Sequence, residues 1–476
     1  MIMKEKSMTI NAVLNTSRTA LSILFPLITY PYAARVLGVV NIGAVHYTAS
    51  IISYFILLAE LGITTYAMRE GSRYRDEPIK LEVFAGEVFS IGLLASIVSS
   101  LLLVFCIFLV PGLKSYTALL LVQSISVLGN CLAINWIYTI KEDYGFIALR
   151  ALIVHILALV LLFVFVKTQD DYVIYAATTV IANTGANIFN FIYARRYCHI
   201  HLNHFKSFKK HLKSIFIIFG SNVTATIYGN SDKTLLGAIA GDYSVGLYGT
   251  SVNVYTALKS CISAIALSTL PRLSFYKSNK MEDDYQNMAN SIFCSMLIIL
   301  LPVVMGVVCV SDDIILLIAG RNYLSASLSL KILSFGLFFS LIAIFYTSVV
   351  LLPNHQELTV MKGSAISATL NIVLNLFILS TYKQNGAAFT TLLSEMFMCV
   401  YEAYKSHALI KLNIDKRLIV SSVCGCISFI PLTILINSLK LQFIIELMLS
   451  LIICASVYIL FLKVFGKKSL SELLKL

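Results

Sequence analysis

The sequence is poor in charged residues: Asp, Glu, Lys and Arg make up 13% of its 476 residues, whereas hydrophobic residues make up 58%. A soluble domain carries roughly 25% charged residues. The mean hydropathy of +0.85 points in the same direction. This composition excludes a soluble protein of several domains and predicts an integral membrane protein.

The sequence also lacks the motifs of nucleotide and metal chemistry. No Gly-rich loop is followed by Lys and then Ser or Thr, so we expect no ATP hydrolysis by this chain. Cys198 and the nearby His199, His201, His204 and His211 do not have the spacing of zinc ligands. The ten cysteines lie mostly inside apolar runs, where Cys behaves as a small buried hydrophobe. We therefore expect no catalytic residues, no metal site and no cofactor.

The net charge of +12 comes from basic residues in short loops between apolar runs. That distribution indicates membrane topology and not a nucleic-acid groove, so we expect no nucleic-acid partner. The longest polar stretch, residues 195–213, contains six Lys or Arg and no acidic residue. A basic segment of this kind beside apolar spans is expected on the cytosolic side of a membrane.

Apolar runs long enough to cross a bilayer, which needs about 20 residues, recur along the whole chain. We predict an all-α membrane protein with about fourteen spans, at residues 10–34, 41–63, 83–109, 116–140, 147–166, 172–194, 214–239, 244–270, 286–310, 326–352, 358–381, 386–406, 417–437 and 441–463. The basic connector divides the chain into a six-helix lobe (1–194), the connector (195–213), a second six-helix lobe (214–406), and two further helices with a tail (407–476).

The loop charges predict the orientation of these spans. With a cytosolic N-terminus, Lys and Arg are about four times more frequent on the cytosolic side than outside. Both termini and the tail are therefore predicted to be cytosolic. The predicted outer loops are all short, which argues against a membrane polysaccharide polymerase or ligase, since such enzymes generally need a large outer loop.

Polar residues follow one face of the first span, where lipid would be expected. They are Asn11, Asn15, Arg18, Ser22 and Thr29. Spacings of four, three, four and seven keep them on one helical face. Pro26 and Pro31 predict a bend in the same span. A bent helix with a polar face predicts the wall of a cavity; a polar contact between helices is the alternative.

A similar pattern returns in the second half of the chain. Residues 47–54 and 248–255 align without a gap, each begins and ends with Tyr, and each follows a Leu-Gly pair (37–38 and 236–237). Transporters are often built from such repeats, with the substrate site between them. A coincidence between two apolar segments is the alternative.

Deep cations outnumber the acids that could neutralise them, which favours binding of phosphate. Tyrosine rings could stack on sugars and donate hydrogen bonds. The predicted substrate-binding residues are Asn15, Arg18, Arg35, Tyr47, Tyr54, Lys233, Tyr248, Tyr255, Lys259 and Lys331. The candidates for coupling transport to an ion are Glu60, Asp232 and Glu395.

Two hairpins carry a resemblance to a known family. Residues 26–38 read PLITYPYAARVLG and residues 66–70 read YAMRE; in the second half, 232–237 read DKTLLG and 245–248 read VGLY. These segments resemble the polysaccharide (O-antigen type) flippases of the multidrug/oligosaccharidyl-lipid/polysaccharide exporter superfamily.

The resemblance implies fourteen helices in two six-helix lobes plus two trailing helices. It also implies that the protein moves undecaprenyl-pyrophosphate-linked oligosaccharide units across the bacterial inner membrane by alternating access, for surface polysaccharide biosynthesis. Its partners would be that lipid-linked oligosaccharide, membrane lipids and other polysaccharide-assembly proteins. A multidrug cation antiporter of the same superfamily is the alternative, and a polymerase or ligase is less favoured.

Overall fold

The structure, a computed structural model, describes residues 8–202, 208–412 and 416–465, with side chains for 25–202, 210–412 and 417–464. Throughout these ranges the chain forms helices joined by short turns, without a β-strand. It divides into two compact units, Met1–Gly246 and Leu247–Leu476.

The first unit contains seven helices and the beginning of an eighth. They are α1 (Met8–Glu60), α2 (Ile63–Gly71), α3 (Pro78–Leu109), α4 (Thr117–Gly129), α5 (Asn135–Ile140), α6 (Tyr144–Phe165), α7 (Tyr172–Ala194) and α8 (Phe208–Ser278). The unit ends at Gly246, so the predicted span 214–239 is grouped with the helices before it. The lobe boundary placed at the connector stays a prediction.

The second unit holds the remainder of α8 and seven further helices. They are α9 (Glu282–Cys309), α10 (Ser311–Ile318), α11 (Ser327–Phe345), α12 (Glu357–Ser406), α13 (Lys416–Ile427), α14 (Phe429–Ser438) and α15 (Phe443–Phe465). A π-helical turn, Tyr346–Leu351, follows α11 directly. The last helices pack against α9, where the Tyr458 hydroxyl donates a hydrogen bond to the Ile298 carbonyl oxygen (2.8 Å).

Ten helices in the described part of the chain are long and apolar enough to cross a membrane. The protein is therefore a multi-pass membrane protein, as its composition predicted. Three of the ten, with 50, 69 and 50 residues, are far longer than one crossing needs. The helices α1, α8 and α12, which make up most of these three spans, each contain one non-helical residue: Gly38, Gly241 or Lys383. These residues fall in the gaps predicted between spans.

The breaks in α1 and α8 have the same backbone conformation. Gly38 has φ 77° and ψ 172°, and Gly241 has φ 77° and ψ 174°. This region is open essentially only to glycine, because any Cβ would clash with the backbone. The helix continues through Pro26 and Pro31, so the non-helical residue of α1 is Gly38 and not either proline.

The two breaks correct the register of the internal repeat. Gly38 and Gly241 are as far apart in sequence as Gly43 and Gly246 are. The aligned tyrosine segments are two residues closer together than that. Leu236-Gly237 is not the counterpart of Leu37-Gly38, because Gly237 is helical. A two-residue shift turns a helical side chain by about 200°, to the opposite face. The repeated backbone and the repeated tyrosines are therefore out of register.

Candidate functional site

Within the first unit, the part of α1 after Gly38 touches α8 backbone to backbone. A Cβ on Gly43 would lie 1.8 Å from the carbonyl oxygen of Asp242, and one on Gly246 would lie 2.1 Å from that of Val39. The two contacts are reciprocal, since Val39 precedes Gly43 by the same four residues that separate Asp242 from Gly246. Only glycine permits this approach at either position.

Two predicted tyrosines lie along the same helix contact. The ring of Tyr47 lies against Gly237, with its Cδ2 2.1 Å from the position of a Cβ there, and Tyr47 is 8% exposed. The Tyr54 hydroxyl is 3.1 Å from the Thr234 hydroxyl, which is 2.8 Å from the Ser50 hydroxyl. Both tyrosines therefore join α1 to α8 in this conformation.

A carboxylate–phenol pair lies at the breaks. The Tyr116 hydroxyl donates to the Asp242 carboxylate, with distances of 2.9 and 2.8 Å to its two oxygens. The Tyr116 ring meets the Tyr47 ring edge-on at 5.3 Å. The hydrogen bonds to Tyr116 hold Asp242, whose carbonyl oxygen lies against Gly43, at the contact between α1 and α8.

Lys233 lies on α8 one turn before Gly237. Its electrostatic neighbours are Asp232 and the imidazole of His46. Among the side chains that the structure describes, no carboxylate forms a salt bridge with it. The Nε2 atom of His46 is buried and has no hydrogen-bond partner in the same described set. A cation with no salt bridge beside a polar atom in need of a partner is an arrangement that can accept an anion.

The second unit holds a buried ion pair. Lys259 Nζ lies 3.0 Å from Glu395 Oε1, and the Tyr255 hydroxyl donates to the same oxygen (2.9 Å). The Lys259 side chain is 27% exposed and that of Glu395 is 6% exposed. The ammonium is also 5.4 Å from the centre of the Tyr255 ring. The positive charge of Lys259 is thus neutralised in this conformation, which corrects the expectation that it is unpaired.

A second polar network in this unit involves no formal charge. The Thr390 hydroxyl donates to Asn375 Oδ1 (2.6 Å), and Asn375 donates to Asn371 Oδ1 (3.1 Å). The hydroxyls of Tyr248 and Thr391 are 3.0 Å apart. Tyr248 therefore bridges α8 and α12, and its hydroxyl is engaged in a hydrogen bond with Thr391.

The other predicted site residues have varied surroundings. Lys331 lies in the second turn of α11, is 37% exposed and is 3.7 Å from Asp312, so it is not a deep unpaired cation as expected. Arg35 is exposed and Asp232 is buried. Glu60 lines a cavity of about 20 Å³. Asn15 and Arg18 lie outside the described side chains.

Sequence reasoning missed several polar residues of these sites. They are His46, Tyr116, Asp242 and Glu402. Glu402 was detectable, because it follows Glu395 by seven residues and so shares its helical face. The pairing of Tyr116 with Asp242 spans 126 residues, and no local pattern indicates it. Among the described side chains, no group of three or more His, Cys, Asp or Glu could hold a metal ion.

Comparison with known sequences relates the chain to polysaccharide biosynthesis proteins. A family model described as "Polysaccharide biosynthesis protein" matches residues 9–277. A candidate O-antigen transporter of Escherichia coli K12 is 24% identical over 381 residues, covering 78% of this chain and 90% of the relative. A candidate low-salt glycan biosynthesis flippase of Haloferax volcanii is 25% identical over 185 residues, 39% of each chain.

Solved structures share the fold. The lipid II flippase MurJ in its inward closed conformation aligns with a TM-score of 0.78 at 16% identity, covering 96% of this chain and all of MurJ. An inward-facing multidrug resistance transporter of the MATE family, of the MOP superfamily, aligns with a TM-score of 0.65 at 12% identity, covering 83% and 97%. At these identities the likeness shows the fold alone.

Proposed function

The chain belongs to the polysaccharide biosynthesis protein family, as the motifs of its two hairpins predicted, and on that premise we propose that it is a lipid-linked oligosaccharide flippase. Its substrate is an oligosaccharide on undecaprenyl pyrophosphate, and it works by alternating access in the bacterial inner membrane. The candidate O-antigen transporter among its relatives supports this class of cargo. It is a transporter and not an enzyme.

The observation that carries the substrate class is Lys233. Removing an ammonium group from water costs several kcal/mol unless a partner compensates it. Lys233 lacks a salt bridge among the described side chains, and its neighbour His46 has a ring nitrogen without a partner that donates when the neutral imidazole carries its proton on Nε2. A pyrophosphate supplies the missing negative charge and accepts hydrogen bonds from both. Arg18 is proposed as a further ligand.

Lys259 contributes to substrate binding by exchanging Glu395 for the pyrophosphate. Its ammonium is bound to Glu395, so a pyrophosphate must compete with that carboxylate, and protonation of Glu395 would release the lysine. Tyr255, bound to the same carboxylate, would be released with it and could meet the sugar. The exchange makes binding of the anion dependent on protonation.

The polyprenyl tail needs an apolar path. A cavity of about 430 Å³ in the second unit is lined almost wholly by apolar side chains of α8, α9, α10, α14 and α15. Val254, Pro302 and Phe429 are among them. Its lining suits an isoprenoid chain and would reject a sugar.

We propose fourteen crossings with both termini in the cytosol. The breaks at Gly38, Gly241 and Lys383 divide three of the ten long helices, and Tyr172–Ala194 is long enough to add one more. The lobes are residues 1–194 and 214–406. Labelling of single cysteines placed in the loops tests this topology, and a connector accessible from outside would contradict it.

Complementation tests the function. The gene is expressed in a strain that lacks its own O-antigen flippase, and surface polysaccharide is measured. We expect wild-type protein to restore it, Lys233→Gln to reduce it at least tenfold at equal membrane abundance, and Lys331→Gln, a matched change at a more exposed cation, to leave it near wild type. Failure of the wild type together with restored resistance in a drug-sensitive strain would favour the antiporter.

A further inference from the structure

A second carboxyl group of α12 is buried without a cation. Glu402 has no exposed surface. Its two carboxyl oxygens lie 2.7 and 2.8 Å from the hydroxyl oxygen of Thr347. Among the side chains described, no Lys, Arg or His forms a salt bridge with it. Burying an ionised carboxylate in this way costs several kcal/mol.

The hydroxyl of Thr347 contacts both carboxyl oxygens of Glu402, and the number of protons available limits how these contacts can be hydrogen bonds. A hydroxyl carries one proton, so Thr347 can donate to only one carboxyl oxygen in a linear hydrogen bond. The second oxygen is satisfied when it carries a proton itself and donates to a lone pair of the Thr347 oxygen. A neutral carboxylic acid that both accepts from and donates to the Thr347 hydroxyl accounts for the two short distances, and burial of Glu402 without a cation favours this form.

Thr347 belongs to the π-helical turn Tyr346–Leu351. Such π-helical turns are rare in proteins, and many of those that do occur lie at functional sites. The turn is held by side chains: Tyr285 of α9 donates to the Val349 carbonyl oxygen (3.0 Å), and Asn354 donates to that of Val350 (2.7 Å). Tyr285 is thus a titratable group of α9 in contact with the π turn. The hydroxyl of Thr347 is thus held in position opposite α12.

Several acidic groups surround Glu402 among the described side chains, and the cation of Lys277 lies beyond Tyr285, 4.8 Å from the centre of its ring. Glu395 lies two turns earlier on the same face and is already paired with Lys259. Cys399 lies between the two carboxyl groups, and Tyr346 of the π turn faces Cys399. Glu402 is therefore better placed to bind a proton than the paired Glu395.

We propose that Glu402, hydrogen-bonded to Thr347, is a proton-binding site that couples transport to a proton gradient. This inference rests on the proposed flippase function and assigns its driving ion. In the packed state the carboxyl O–H bond is intact. When α12 separates from the π turn and water enters, that bond breaks, the proton passes to water, and the carboxylate remains until repacking takes a proton up again.

Infrared spectroscopy of the purified full-length protein tests proton occupancy without a transport assay. At neutral pH we expect the C=O stretch of a protonated carboxyl in the wild type, and loss of that component in Glu402→Gln. Glu357→Gln, an exposed glutamate at the start of α12, is the matched control and should keep it. An unchanged band in Glu402→Gln, or a band shift on adding Na⁺, would overturn the assignment.

Variants of Thr347 show whether the hydroxyl holds the proton. Thr347→Ser keeps the hydroxyl and should keep the wild-type band, whereas Thr347→Val removes it at nearly equal volume and should shift the band. If serine fails to rescue the effect of valine, the hydroxyl is not the partner. These variants are informative even where Glu402→Gln folds poorly.

Transport in proteoliposomes distinguishes failure of the site from failure of the function. With a polyprenyl-pyrophosphate oligosaccharide as the probe, we expect a pH gradient to accelerate wild-type flipping at least fivefold, and Glu402→Gln to lose this acceleration while retaining exchange without a gradient. Wild-type flipping that ignores the gradient would overturn the coupling alone. Absence of any wild-type flipping, with the infrared band intact, would overturn the flippase function and leave the proton site.

Discussion

The reciprocal glycine contact gives a sharp test of the fold. In Gly43→Ala, the new Cβ would stand 1.8 Å from the Asp242 carbonyl oxygen, where ordinary contact begins at 3.4 Å. The two backbones would have to separate by roughly 1.5 Å, a misfit that a close-packed interior does not absorb freely. Overpacking of this kind costs about 1–3 kcal/mol.

The matched control is Gly229→Ala, in the same helix as Asp242. Gly229 is exposed and helical, and a Cβ there would meet nothing within 4 Å. This change should be neutral or should stabilise the helix by up to about 1 kcal/mol. Both variants thus add one methyl group to a membrane helix and differ only in what the methyl meets.

Thermal unfolding of the purified protein in detergent measures the difference. A loss of about 1–3 kcal/mol corresponds to a fall in Tm of roughly 2–10 °C for a unit of this size. In the double variant Gly43→Ala/Gly246→Ala, the fall should be less than the sum, because one separation relieves both clashes. If Gly43→Ala behaves like Gly229→Ala, the close contact between α1 and α8 does not exist.

Three further changes are predicted from other parts of the chain. Gly38→Ala should cost about 1–3 kcal/mol, because its φ excludes a Cβ, and should lower Tm. Lys259→Gln strands a buried carboxylate and should cost about 3–5 kcal/mol, with Lys259→Gln/Glu395→Gln nearer wild type in the same measurement. Hydrogen bonds from two backbone N–H groups and the Thr168 hydroxyl lower the pKa of Asp171. The contribution of Asp171 to stability should be full when the pH is above the ordinary Asp pKa of about 3.9, and it should be lost as the pH falls through the lowered pKa. Asp171→Asn should remove this pH dependence of Tm.

Local patterns of the sequence determined the class of this protein. Apolar runs of bilayer length predict helices because an unpaired backbone amide is too costly in lipid, so each span must satisfy its own hydrogen bonds. The backbone breaks at Gly38, Gly241 and Lys383 fall in gaps that the sequence predicted between spans. The family followed from short motifs in two hairpins, and the match over residues 9–277 confirms it.

Only the tertiary structure decided which charges are paired. The sequence indicated that Lys259 and Glu395 are deep in the membrane, but their separation of 136 residues hides the ion pair that joins them. It also hid the reciprocal glycine contact, since Gly43 and Gly246 meet across separate helices. Hydropathy and spacing depend on neighbours in the chain, whereas neutralisation of a charge depends on what lies within a few ångströms in space. The all-helical, membrane-spanning class could therefore be predicted from the sequence, while the state of each buried carboxyl and ammonium group required the packed structure.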